Sequence, residues 1–216
     1  MAQSRRAHIL LGASISVLLL TGCQGGDPSA VQTPVESASA SSSASASASP
    51  TADPTPTPSP ASAEGPAVNL PVPEKPALAD ENSVEGLEAF TKWWFELLNY
   101  AYATNDLGPL KAVTDEGCTT CQNIEESIAQ VYADGGWMSG GDVSLDSFNT
   151  DFRPIEGGAI DAFVGNTQAA TTVYDSAGST IGQFPEQRYE AASLFRAIYV
   201  ENAWLVVDYG FSSSGE

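Results

Sequence analysis

Asn82-Ser83-Val84-Glu85-Gly86-Leu87-Glu88-Ala89-Phe90-Thr91-Lys92-Trp93-Trp94-Phe95-Glu96-Leu97-Leu98-Asn99-Tyr100-Ala101-Tyr102 is the stretch from which the fold is read. Leu87, Phe90, Trp94, Leu97, Leu98 and Ala101 recur at helical spacing and share one face. Asn82, with Glu85 three residues on, fits a capping box. Glu88 and Lys92 form an i,i+4 pair on the opposite side. Trp93, Phe95, Tyr100 and Tyr102 widen the apolar surface, which predicts a helix buried on more than one side. An aromatic stripe could also meet a ligand, but this spacing is that of core packing.

Working outward toward the C-terminus, Asp106 and Pro109 open a short helix over 109–113. Another begins at Thr119, with Cys121, Ile124, Ile128 and Val131 on one face, and Gly135-Gly136 stops it. From there the period becomes that of strands: 143–152, 159–164, 169–174, 190–200 and 204–211. The phase slips between Leu145 and Phe148, which predicts a bulge. Asp175-Ser176-Ala177-Gly178 is a turn with a short strand at 181–184 beyond it, and Glu201-Asn202 joins the last two strands as a tight hairpin. Helices first and strands afterwards predict an α+β domain over 77–212, with N-terminal helices packed on one face of an antiparallel sheet, and a flexible tail at 213–216.

Working the other way, residues 23–76 read as a tether. Ser37 to Ser49 is Ser and Ala throughout, and Pro50 to Pro60 alternates Pro with small residues. Such a tract has little to bury and does not offset the entropy of ordering. Ahead of it, residues 1–22 carry Arg5 and Arg6, then an apolar run from Ile9 to Leu20 that is too short for a permanent span, which needs about 20 residues. Leu20-Thr21-Gly22-Cys23 resembles a bacterial lipoprotein signal. That resemblance implies cleavage after Gly22, a thioether lipid on Cys23 and anchorage to the extracytoplasmic face of the cell membrane. Ser4-Arg5-Arg6 faintly resembles a twin-arginine signal, but His8 and Leu10 depart from it, so general secretion is expected.

Composition removes whole function classes. Beyond Gly22 the chain holds six Lys and Arg against 27 Asp and Glu, a net charge of −21. No basic footprint for nucleic acid exists. His8 is the sole histidine and leaves with the signal. Ser-His-Asp and Cys-His relays and His-based zinc sites are thereby excluded from the mature chain. Of three cysteines, lipidation takes Cys23 and leaves Cys118 and Cys121 as an even pair in an oxidising compartment.

Leu98-Asn99-Tyr100-Ala101-Tyr102-Ala103-Thr104, then Asp106, Pro109-Leu110 and Cys118-x-x-Cys121 before a helix, resemble a family of uncharacterised lipoproteins of high-GC Gram-positive bacteria, domain-of-unknown-function family 6318. The element order is similar to nuclear-transport-factor-2-like cones, which implies a curved antiparallel sheet wrapped around the long helix. The resemblance carries no activity.

Three constellations remain. Cys118-Thr119-Thr120-Cys121 at a helix start is either a dithiol redox pair, its thiolate favoured by the helix dipole, or a structural disulfide. The absence of a preceding βαβ strand and of framing aromatics favours the structural bond. Trp137 and Met138, between Gly135-Gly136 and Gly140-Gly141, form either a mobile contact loop or a plug at the end of the sheet. Asp208, in an apolar strand, could face a cone pocket with Tyr174 or Tyr199 as hydrogen-bond donor and act as acid or base. Strand alternation places it toward solvent instead. Asp142, Asp146 and Asp151 lack the order of a calcium loop and read as a solvated face. No cofactor or metal motif is present. The expected role is non-catalytic binding of a small ligand or an envelope protein, with the membrane engaged through the lipid on Cys23. The enzyme alternative is thiol-disulfide redox at Cys118 and Cys121, or acid–base chemistry in the pocket.

Overall fold

The structure, a computed structural model, describes residues 56–211. The signal at 1–22, Cys23, the tether as far as 55 and the last five residues lie outside the described residues.

Helix α1 runs Val84–Thr104. Its cap is Ser83, one residue beyond the expected Asn82: the Ser83 hydroxyl accepts from the Gly86 N–H at 3.0 Å. It ends at Asn105, which takes the left-handed conformation (φ 59°) that Asn tolerates. The six residues of the expected face are buried, and so are Trp93 and Phe95 on the flanks. Helix α2, Gly108–Lys111, is a single turn, and α3 spans Thr119–Tyr132.

Seven strands follow: β1 Trp137–Gly140, β2 Val143–Asn149, β3 Ala159–Gln168, β4 Thr171–Tyr174, β5 Thr180–Phe184, β6 Gln187–Val200 and β7 Ala203–Phe211. All pairings between these strands are antiparallel. The expected bulge is present as a register shift between Leu145 and Ser147. The Glu201-Asn202 turn carries φ values of 52° and 64°, the double left-handed pattern of a tight hairpin.

The expected architecture, helices laid on one curved sheet as in a nuclear-transport-factor-2-like cone, is not what forms. Strand residues outnumber helical ones, and the strands divide into two sheets, β1-β4-β5 and β2-β3-β6-β7. Local chemistry makes the division. Gly140, the last residue of β1, and Gly141 (φ 70° and 84°) turn the chain out of β1 before β2, Ala169-Ala170 separates β3 from β4, and Pro185, which has no N–H for a ladder, lies between β5 and β6. The first two breaks are level with each other. The Gly141 N–H donates to the Ala170 carbonyl at 3.2 Å, and the Ala169 N–H to the Asp142 carbonyl at 2.9 Å. A Cβ on Gly140 would lie 2.3 Å from that Ala170 oxygen, so the close approach itself needs glycine.

One core joins the pieces. Side chains of α1 pack with Phe195, Ala197 and Val206 of the four-stranded sheet and with Met138 and Val173 of the three-stranded one. At its centre Trp94 meets Phe195 edge-on at 5.5 Å and Tyr209 at 5.0 Å, while its indole N–H donates to Thr114 Oγ1 at 2.9 Å. Each such side chain taken from water contributes about 1.5–3 kcal/mol.

The sequence places residues 56–76 at the end of the tether, yet they are hydrogen-bonded to the domain. Ser59 and Val68 exchange backbone bonds at 2.9 and 3.0 Å. The Trp137 Nε1–H donates to the Ser62 carbonyl at 2.8 Å, and the Trp93 Nε1–H to the Pro73 carbonyl at 3.1 Å. Composition alone points to disorder here, but two largely buried indoles need acceptors, and this segment has free carbonyls to supply them.

Candidate functional site

Two cavities adjoin where α1 and α3 meet the strands. The first, about 570 Å³, is lined by Asn166 of β3, Ser193 of β6 and Tyr209 of β7, with Thr120 and Ile124 of α3 opposite. The second, about 530 Å³, is lined by Ile128 and Val131 of α3, Met138, Val173, and Ile181 and Phe184 of β5. Tyr102, Gln168 and Tyr189 line both, and so form a shared wall. The first also has Leu98, Val143 and Leu194 in its lining, so it mixes amides and hydroxyls with hydrocarbon, whereas the second is mostly hydrocarbon.

Strand geometry places these groups. Asn166 is fully buried near the C-terminal end of β3, at the register shift opposite β6, and its amide donates to the Tyr209 hydroxyl at 3.0 Å. Burial pushes the Tyr209 phenol well above the usual tyrosine range, with the hydrogen bond from Asn166 pulling the other way. Burial also raises Tyr102, helped by neighbouring Tyr189 and opposed by Gln168. Both phenols therefore stay protonated near neutral pH and can serve as hydrogen-bond donors.

Charge is sparse at these walls. Among the described residues no Lys or Arg lines either cavity, and the one lining carboxylate is Asp208 in the first. Asp208 faces Arg196 across the β6–β7 register. Arg196 forms a two-pronged pair with Asp161, Nε and Nη2 donating at 2.6 and 3.0 Å. Its guanidinium is held further toward the charged form by Asp161 first and then by Asp208.

The residues singled out in the sequence are distributed as follows. Met138 and Asp208 line the second and first cavities respectively. Trp137 is buried, stacked on Tyr174 with ring centroids 5.2 Å apart, and belongs to an edge strand rather than a loop. Tyr199 packs on Trp204 at 5.0 Å and donates to the Asp80 carbonyl at 2.8 Å. Neither Tyr174 nor Tyr199 lines a cavity with Asp208, so that acid–base grouping is not assembled. Cys118 and Cys121 are joined as a disulfide, both buried, with the Cys121 N–H donating to Cys118 Sγ at 3.3 Å. Asp142, Asp146 and Asp151 are exposed, and among the described residues no cluster of metal-ligating side chains occurs.

Sequence reading missed Asn166, Gln168, Tyr189 and Ser193. A signal for the first was present: Asn166 follows Ala162-Phe163-Val164-Gly165 within a strand, where a buried amide must find partners. The others come together only through the pairing of β3 with β6.

A β-rich domain with two neighbouring cavities, one mostly apolar and one of mixed lining, is thus the class that fold and site define. Residues 56–209 match the model of DUF6318, a family of unknown function, and the chain belongs to that family. The match begins within the segment that is bonded to the domain. No curated protein matches the chain. Among solved structures it is similar, at 12% identity, to the intermembrane space region of the chloroplast protein ARC6, covering 59% of this chain and 95% of that one with a TM-score of 0.41. It is also similar to Aln2 from a Streptomyces species (12% identity, 58% and 88% covered, TM-score 0.37). A putative calcium/calmodulin dependent protein kinase II association domain from Xanthomonas campestris gives 13% identity, 65% and 94% coverage and a TM-score of 0.33. Likenesses this distant carry no functional argument.

Proposed function

We propose that this is a lipid-anchored extracytoplasmic protein whose domain binds a small molecule non-catalytically in the paired cavity. The observation that carries the reading is the set Tyr102, Gln168 and Tyr189, which borders both an apolar chamber and a neighbouring one richer in amides and hydroxyls. Mostly apolar concave sites with a few fixed polar groups are the usual form of small-molecule sites. Binding rather than turnover is supported by Asp208, the one lining carboxylate, facing Arg196. The buried Cys118–Cys121 bond likewise supports a structural rather than a redox role.

Anchorage rests on Leu20-Thr21-Gly22-Cys23, the short apolar run before it and the Ser/Ala/Pro-rich span after it. Among the described residues no helix is long and apolar enough to cross a membrane. Native mass spectrometry of the mature chain, purified from a native-like secreting host, tests the binding reading. Extra mass lost on denaturation supports it, and a bare chain counts against it. A Cys23→Ala variant that still fractionates with membranes like the parent would overturn the anchor.

A further inference from the structure

We infer that the ligand is a single-tailed amphiphile with an uncharged, hydrogen-bonding head, such as an alkyl glycoside or a lipid of that kind. This rests on the binding reading above and specifies what the cavity takes. Three features of the site lead there. The second cavity is walled by Ile128, Val131, Met138, Val173, Ile181 and Phe184, a lining fit for a hydrocarbon tail. The first holds Asn166 and Ser193, both almost wholly buried, with the phenols of Tyr102 and Tyr209 kept protonated by burial. These groups donate and accept, as hydroxyl-rich heads require. Tyr102, Gln168 and Tyr189 border both cavities, so the head and tail chambers are neighbours, with Gln168 between them.

Charge then selects among amphiphiles. An anionic head would enter a chamber without a lining cation, on a chain whose mature charge is −21. A cationic head would find one carboxylate, Asp208, which lies across the β6–β7 register from Arg196. An uncharged head incurs neither cost. Ile181 and Phe184, 65% and 60% exposed, give the tail chamber an apolar lip open to solvent. A tail can enter there directly.

The test uses the full mature chain carrying Cys23→Ser, so that no attached acyl group competes. Octyl glucoside, octyl sulfate and octyltrimethylammonium, each below its micelle concentration, are titrated by calorimetry, with glucose alone as control. Octyl glucoside is expected to bind about tenfold or more tighter than either charged analogue, and glucose weakly or not at all. Phe184→Asp, at an exposed position, should abolish octyl glucoside binding with the melting midpoint unchanged. Gln168→Leu should narrow the preference for the glucoside over the sulfate. Equal or tighter binding of a charged analogue overturns the head assignment and leaves the binding reading standing. Failure of all three, with a different small molecule seen by native mass spectrometry, overturns the amphiphile but not the site. Failure of both experiments removes both proposals. Vesicles doped with a fluorescent alkyl glycoside distinguish the source: transfer into the protein on mixing indicates a membrane lipid, and binding of the free compound without transfer indicates a soluble one.

Discussion

Asn99 and Val143 exchange both hydrogen bonds of a strand pair, although one partner is a side chain. Asn99 Nδ2 donates to the Val143 carbonyl at 3.0 Å, and the Val143 N–H donates to Asn99 Oδ1 at 2.8 Å. The carboxamide of α1 thus stands in for a neighbouring strand at the first residue of β2, just past the glycine break between the sheets. Replacing it leaves two partly buried backbone groups without partners. Asn99→Ala should therefore lower stability by about 1–3 kcal/mol. Asn99→Asp should do at least as much harm, because it removes the donor and sets a carboxylate against a carbonyl. Urea denaturation checks both, and a loss below about 0.5 kcal/mol in each would show that the pair is dispensable.

Trp137 ties the N-terminal segment down through its bond to the Ser62 carbonyl. Trp137→Phe keeps a ring to stack on Tyr174 but removes the donor. The cost should be about 1 kcal/mol, the usual net value of one hydrogen bond. The clearer readout is protease cleavage or amide exchange near Ser62, which should quicken while the core strands stay protected.

The buried phenols set an alkaline limit. Tyr102, Tyr132 and Tyr209 all have folded pKa values raised by burial. Folding therefore favours the neutral phenols. That contribution is fully present below the unfolded value of about 10 and is lost as pH rises from there toward the folded values. The melting midpoint should fall steadily above that pH, and Tyr209→Phe should flatten part of the fall. An unchanged slope in the variant would remove Tyr209 from the account.

The Cys118–Cys121 bond closes a very short loop. Chain entropy then limits its contribution to about 2 kcal/mol. Cys118→Ala with Cys121→Ala should lose no more than this, fold, and bind ligand as the parent does. Loss of binding with the fold intact would restore a functional role for the pair.

At the β6–β7 hairpin Glu201 holds φ 52°, a conformation that disfavours side chains other than Asn, Asp and Gly. Glu201→Asn should stabilise by about 0.5–1 kcal/mol, read as a higher melting midpoint. A lower midpoint would show that Glu201 makes a compensating contact.

Sequence alone settled the local elements of this protein. Spacing from Leu87 to Ala101 placed α1, Gly135-Gly136 ended α3, and alternation with turn residues located six of the seven strands. Each of these depends on side chains near one another in the chain, so periodicity reports it. The family was legible for the same reason, in motifs from Leu98 to Cys121. The seventh strand, β1, reads as a loop because its first residues lie between two glycine pairs, Gly135-Gly136 and Gly140-Gly141, which are turn signals. The tertiary structure decided three things: the division into two sheets, the binding of 56–76 to the domain, and the gathering of Tyr102, Gln168 and Tyr189 into one wall. Those outcomes depend on which strand pairs with which, and on partners tens of residues apart. Trp137 meets Ser62 across 75 positions, and Asn166 meets Tyr209 across 43. Hydrophobic pattern fixes which face of an element is buried, whereas the residue it is buried against is chosen only when the whole chain packs.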